Sequence, residues 1–143
     1  MAVEVVRSFD VAVPTEEVWD LLSDPQKRAE AISFVERYEI GEDVTTWHIK
    51  LPSPLINRTV AVRTQDIERR PPNYVKFVGR SKVMNVTGEH ELTETKEGCR
   101  VRNRFVVEGK VPGVERFFKR NFDTEIRNIL ETVTDSAVLV EDA

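Results

Sequence analysis

The chain has 143 residues, with 25 acidic side chains against 21 basic ones, a formal net charge of −4 and an ordinary globular share of apolar residues, 40%. This reads as one domain over residues 1–143 with no general attraction to nucleic acid, and its single cysteine, Cys99, excludes an internal disulfide framework and suits a reducing compartment. Two histidines and one cysteine are too few for a dedicated zinc site, so no metal or cofactor is expected.

The first segment alternates, with Val3, Val5, Phe9 and Val11 on one side, which predicts a half-buried strand. Pro14 then opens a helix whose Glu16 and Glu17 suit the positive end of the dipole and whose Val18, Leu21 and Leu22 make a buried stripe. Asp24-Pro25 stops it and starts a short second helix, with Asp24 as cap. Strand-like segments follow, separated by turn signals: Ser33 to Ile40, Val44 to Leu51, Arg58 to Glu68, Tyr74 to Gly79, Val83 to Thr93 and Cys99 to Glu108. A turn at Lys96-Glu97 sets the last hairpin in a checkable register. Leu92 then faces Val101 and His90 faces Asn103 on one side, while Glu91 faces Arg102 and Glu89 faces Arg104 on the other. Arg100, Arg102 and Arg104 share a strand face that could contact phosphate, but Glu89 and Glu91 on the matching face of the preceding strand account for them better. After Pro112-Gly113 the period becomes 3.6: Phe118, Phe122, Ile126, Ile129 and Val133 fall on one arc, predicting a helix of about 25 residues.

No apolar run approaches the roughly 20 residues that span a bilayer; the longest is Ala137 to Val140. Met1 to Val6 lacks a basic region followed by an apolar core, so no signal peptide and a cytoplasmic location are expected. Strands in an uninterrupted run must pair antiparallel, and the long helix is the element large enough to cover the apolar face of their sheet. The expected fold is α+β: a curved seven-stranded antiparallel sheet wrapped around a long C-terminal helix, with two short helices after the first strand. A curved sheet cannot lie flush on a straight helix, so the space between is filled by large side chains or left as a pocket.

That order of elements, with the run Val11-Ala12-Val13-Pro14-Thr15-Glu16-Glu17-Val18-Trp19-Asp20-Leu21-Leu22-Ser23-Asp24-Pro25, resembles the SRPBCC, or START-like, superfamily and its helix-grip fold. Within it the chain looks most like the polyketide cyclase/dehydrase family and the family of the carbon monoxide dehydrogenase G subunit. Glu68-Arg69-Arg70-Pro71-Pro72-Asn73-Tyr74 and Gly88-Glu89-His90-Glu91-Leu92-Thr93 leading to Glu97-Gly98-Cys99-Arg100-Val101 add to the likeness. These motifs are structural. The resemblance implies binding of hydrophobic or amphipathic small molecules between sheet and helix, and it does not settle whether a reaction follows.

Tyr38, Trp47, Ile49, Phe77, Phe105, Phe118 and Phe122, with Ile126 on the helix stripe, are expected to face the space under the helix, either as ligand lining or as core. The Tyr38 hydroxyl and Trp47 indole N–H would be polar handles. His90 and Asn103 share the inner face. They read as a hydrogen-bonded core pair, or as a proton shuttle and the group that orients it or a ligand carbonyl. His48 should face away. Arg63 would be an anion anchor if it faces inward, which the irregular alternation around it leaves open. Glu125 sits at the edge of the apolar helix face, either solvated or at the cavity mouth. Cys99 has no activating partner. Leu51-Pro52-Ser53-Pro54-Leu55-Ile56 reads as a lip touching ligand, partner or membrane, or as a turn tucked under the sheet edge. Three functions compete: a carrier for a hydrophobic small molecule; a small cyclase, aromatase or dehydrase using His90; and an assembly or membrane-recruitment factor contacting its target through that lip and Ala137 to Val140. A monomer or homodimer fits each of them.

Overall fold

The computed structural model describes residues 2–50, 59–134 and 137–140. The elements run β1 (Ala2–Val11), α1 (Thr15–Leu22), α2 (Pro25–Ala31), β2 (Val35–Ile40), β3 (Thr45–Ile49), β4 (Val60–Arg70), β5 (Tyr74–Arg80), β6 (Met84–Glu94), β7 (Cys99–Gly109), α3 (Val114–Leu130) and β8 (Val138–Val140). The strands form one antiparallel sheet in the order β2-β3-β4-β5-β6-β7-β1-β8. This is the helix-grip architecture, with α3 across the concave face.

Eight strands correct the expected seven. The additional strand, β8, pairs with β1 through Ser8↔Val140, Phe9↔Leu139 and Asp10↔Val138. The tail read from sequence as a contact surface is thus an edge strand, with Val138 60% and Leu139 39% exposed. Helix α3 is 17 residues long, shorter than its periodicity suggested. The chain leaves the helix after Leu130, where the Thr132 hydroxyl donates to the Ile129 carbonyl at 2.8 Å. Val133 therefore packs from a turn. Arg127 Nη1 donates to the Ala137 carbonyl at 2.9 Å and ties the returning chain to the helix.

The central hairpin has the register its side chains dictate: Leu92↔Val101, His90↔Asn103, Glu91↔Arg102 and Glu89↔Arg104. On the outer face Arg104 bridges Glu4 at 2.6 Å and Glu89 at 2.6 Å, and Arg100 forks onto Asp10 at 2.8 and 3.0 Å. Carboxylates thus neutralise two of the three arginines of that row. Arg63, whose facing was open, lies exposed on the outer face.

On the inner face, cross-strand partners make rows. Asp66, Phe77, Gly88, Phe105 and Val5 stand side by side on β4, β5, β6, β7 and β1. The next row is Val75, His90, Asn103 and Arg7. Two clusters of buried side chains result. One holds Phe9, Val18, Leu22, Leu92, Val101 and the C-terminal half of α3 against α1 and β1. The other holds Trp47, Ile49, Val62, Val86 and Val107 near the helix start.

Helix α2 packs beside α1 and β2 and carries one charged side chain, Arg28, into the core. Its N-terminus depends on Asp24, which accepts from Gln26 N at 2.9 Å and Lys27 N at 3.4 Å. Asp24→Ala should therefore lower stability by about 1 kcal/mol, read as a shifted urea midpoint at unchanged slope. An unmoved midpoint would show that the α2 cap is uncoupled from global unfolding.

Candidate functional site

The row Phe77–Gly88–Phe105 is the floor of the site. A Cβ on Gly88 would lie 2.4 and 2.5 Å from Phe77 ring carbons and 3.2 Å from Phe105, so only glycine lets both rings close over the β6 backbone. The two rings meet edge to face at 5.7 Å. Phe105 meets Phe122 of α3 at 5.0 Å, and Trp47 lies 6.4 Å from Phe77. An aromatic chain therefore runs from β3 across the sheet to the helix. These pairs contribute beyond area burial and fix ring orientation.

Beside this chain lies a cavity of about 60 Å³. Its wall includes Trp47, Ile49, Val62, Phe77, Met84, Val86, Phe105, Phe118, Phe122 and Ile126, and the surface facing it is wholly apolar. Seven of the residues singled out from sequence thus meet on one wall. Its size is well short of the roughly 300 Å³ at the low end for ligand pockets. The gap between sheet and helix is mostly occupied by rings.

One side of the cavity is closed by the connection between α2 and β2. Phe34 packs edge to face on Phe117 at 5.7 Å and on Phe118 at 5.5 Å. Next to it, Glu125 of α3 accepts from the Ser33 backbone N–H at 3.2 Å and from the Ser33 hydroxyl, and takes a further long bond from Asn128 at 3.4 Å. Glu125 lines the cavity as well, so the sequence position at the edge of the helix face becomes a latch at the mouth. Leu51 to Ile56, the predicted lip, lies outside the described residues.

Three expected residues stand apart from the wall. The Tyr38 ring packs against the second cluster, but its hydroxyl donates to Glu30 of α2 at 3.0 Å on the exposed side and so is turned away from the cavity. His90 and Asn103 lie one row beyond Phe77 and Phe105, whose rings sit 6.3 and 5.8 Å from the imidazole and screen it from the cavity. His48 faces outward and pairs with Glu39 at 2.9 Å. Cys99 is fully buried and unbonded to sulfur, and burial pushes its thiol pKa up, so it is a core side chain without nucleophilic character.

The His90 tautomer follows from its partners. Asn103 Nδ2 donates to the Arg7 carbonyl at 3.2 Å and to the Val101 carbonyl at 3.4 Å, which turns Oδ1 toward the imidazole. His90 Nδ1 lies 2.7 Å from that oxygen, so Nδ1 carries the proton and Nε2 keeps a lone pair. Burial holds the His90 pKa down to about 4, against the Asn103 bond that raises it and with the Arg28 charge lowering it further. The ring is neutral at pH 7.

Arg28 is the charge that the sequence pattern did not reveal. It stands on α2, 4% exposed, with its guanidinium 4.9 Å over the Phe77 ring and Nη2 donating to Asp66 at 2.7 Å. Asp66 is directly opposite Phe77 on the sheet, which explains how one arginine reaches both. A signal existed: Val62, Thr64 and Asp66 are two apart on β4, so an aspartate stands on the inward face and needs a buried partner. Among the described residues no group of three or more His, Cys, Asp or Glu side chains is placed to hold a metal ion. Nor is any helix among them long and apolar enough to cross a membrane.

A family described as polyketide cyclase/dehydrase and lipid transport matches residues 2–134. No curated protein matches the chain. Among solved structures, a START superfamily protein from Mycobacterium smegmatis superposes with a TM-score of 0.72 at 10% identity, covering 94% of this chain and 97% of its own. A conserved protein from Geobacillus kaustophilus gives 0.71 at 17% identity, over 90% and 91% of the two chains. The Zhui aromatase/cyclase from Streptomyces sp. R1128 gives 0.69 at 15% identity, over 92% of each. At these identities the likenesses establish the fold.

The buried imidazole sets a pH dependence. Its folded pKa is below the ordinary 6.5, so the unfolded chain takes up the proton first. The stability this site contributes is whole above about pH 6.5 and is lost as pH falls toward 4, amounting to about 2 kcal/mol between pH 8 and pH 5. His90→Gln should flatten urea-derived stability against pH over that range. Parallel wild-type and variant profiles would contradict a neutral buried His90.

Proposed function

The chain belongs to the polyketide cyclase/dehydrase and lipid transport family, and on that footing we propose that it binds and carries a hydrophobic or amphipathic small molecule between its sheet and α3. The observation that carries this reading is the cavity under α3, lined by apolar and aromatic residues apart from Asn121 and Glu125. Rings can swing where strands cannot. Displacing Phe77, Phe118 or Phe122 enlarges the space without breaking a sheet hydrogen bond. Phe34 and the Ser33–Glu125 latch mark the way in, since they join the α2–β2 connection to α3 by side-chain contacts and one short span of backbone. The proposed ligand contacts are Trp47, Ile49, Phe77, Phe105, Phe118, Phe122 and Ile126.

A second reading, cyclase or dehydrase chemistry, is favoured by one observation: His90 is neutral, with its proton committed to Asn103 and a lone pair on Nε2. That nitrogen can accept a proton from a bound substrate only if Phe77 or Phe105 turns aside. The aromatase/cyclase among the structural neighbours supports keeping this reading. Turnover separates the two: His90→Gln abolishes a cyclase and spares a carrier.

A thermal-shift screen with lipophilic compounds tests binding directly. Saturating ligand at a hundred times its Kd contributes about 2.7 kcal/mol, which raises Tm by about 5 to 10 °C for a chain of this size. Ile126→Phe, which adds volume to the cavity wall, should keep the fold and lose the shift. A shift of the same size in the variant would place binding elsewhere, and no shift with any compound, with nothing co-purifying under native mass spectrometry, would contradict the proposal.

A further inference from the structure

Three buried N–H donors without partners belong to two side chains that pack on one ring. Arg28 gives Nη2 to Asp66, but its Nε and Nη1 meet no hydrogen-bond acceptor among the described residues, and neither does the indole Nε1 of Trp47. Both side chains are more than nine-tenths buried, Arg28 at 4% and Trp47 at 8% exposure. Both also contact Phe77, Arg28 from 4.9 Å above the ring and Trp47 at 6.4 Å between ring centres. Unpaired buried donors cost roughly 1 to 3 kcal/mol each, more on a charged group. The Phe77 π face offers the guanidinium only partial compensation.

Phe77 also lines the apolar cavity. It therefore stands between the greasy space and the unanswered Arg28 donors, while Trp47, which carries the third, is itself on the cavity wall. Because the cavity is too small for a ligand while Phe77 stays in place, a molecule that enlarges it by turning this ring uncovers the Arg28 donors beside a wall that already holds Trp47. Resting on the carrier reading above, we infer that Arg28 and Trp47 form a polar end to the pocket that takes the oxygen of an uncharged carbonyl or phenol. The charge balance selects the class. Asp66 already neutralises Arg28 at 2.7 Å, and the other cation on Asp66, Arg69 at 3.8 Å, is half exposed and screened by solvent. His90 beside Phe77 is neutral. A carboxylate in this dry site would face the Asp66 charge at close range, whereas a ketone or phenol oxygen accepts from the free N–H groups without adding charge.

Acetophenone, ethylbenzene and benzoate have nearly the same shape and differ in the group presented. Their affinities, from amide and indole chemical-shift titrations at pH 7.5, should rank acetophenone about tenfold tighter than ethylbenzene, with benzoate weakest. Trp47→Phe keeps an aromatic wall and should shrink the ketone advantage. Arg28→Met combined with Asp66→Leu removes the ion pair as a unit and should bring the ratio close to one. Equal binding of acetophenone and ethylbenzene to the wild type would overturn the polar end and leave the apolar pocket standing. Tighter binding of benzoate would overturn the uncharged class, and a ratio unchanged in the double variant would overturn the role of Arg28. No binding of any of the three would overturn this inference together with the carrier reading.

Discussion

The geometry of this molecule follows from a mismatch of shapes. An antiparallel sheet of eight strands twists and curls, whereas the helix that covers it is one rod of 17 residues that cannot follow that curl. Ile129 and Leu130 pack with Phe9, Val18 and Leu22 where α3 ends, and the cavity lies along the helix from Phe118 to Ile129. Most of the space between sheet and helix is filled by aromatic side chains. Aromatic rings suit it because they occupy much volume on two rotatable bonds, and because edge-to-face contact lets each ring brace the next.

Polar groups inside this core are few and sharply placed. Asn103 uses both ends of its amide, holding the β1 and β7 backbone on one side and orienting His90 on the other. Arg28 and Asp66 tie α2 to the sheet across the Phe77 ring. Such a pair is a poor source of stability, because desolvation of two ions offsets most of their attraction. Its value lies in geometry: it fixes α2 over β4 and β5 and puts a charged donor next to an apolar space. The charge also bears on the imidazole, since the Arg28 field adds to burial in keeping His90 neutral.

Much of this was legible in the residues. The β6–β7 register follows from opposite charges and matched apolar faces, and Leu92↔Val101 with Glu89↔Arg104 appear as read. The Asp24 cap and the apolar arc of Phe122, Ile126 and Ile129 were equally plain, since each is a local pattern. What escaped is non-local or competitive. Val138 to Val140 has too few residues to signal a strand, and it forms because β1 offers an open edge. Val133 keeps the helical period after the helix has stopped, so periodicity alone overran the end. Arg28 looked like any basic residue on a short polar helix. Only the inward position of Asp66, two residues on from Thr64, hinted that a cation had to meet it. Tyr38 had the right residue type, but the hydrogen bond to Glu30 took its hydroxyl away from the cavity.

For the carrier role to hold, the space left between strands and helix must be real, apolar and open to a small guest. Crystals pressurised with xenon probe that space directly, because xenon enters dry apolar cavities. One site is predicted, bounded by Trp47, Phe77, Phe105, Phe122 and Ile126. A map with no xenon there, and with those side chains closed on each other, would contradict the pocket and every role built on it.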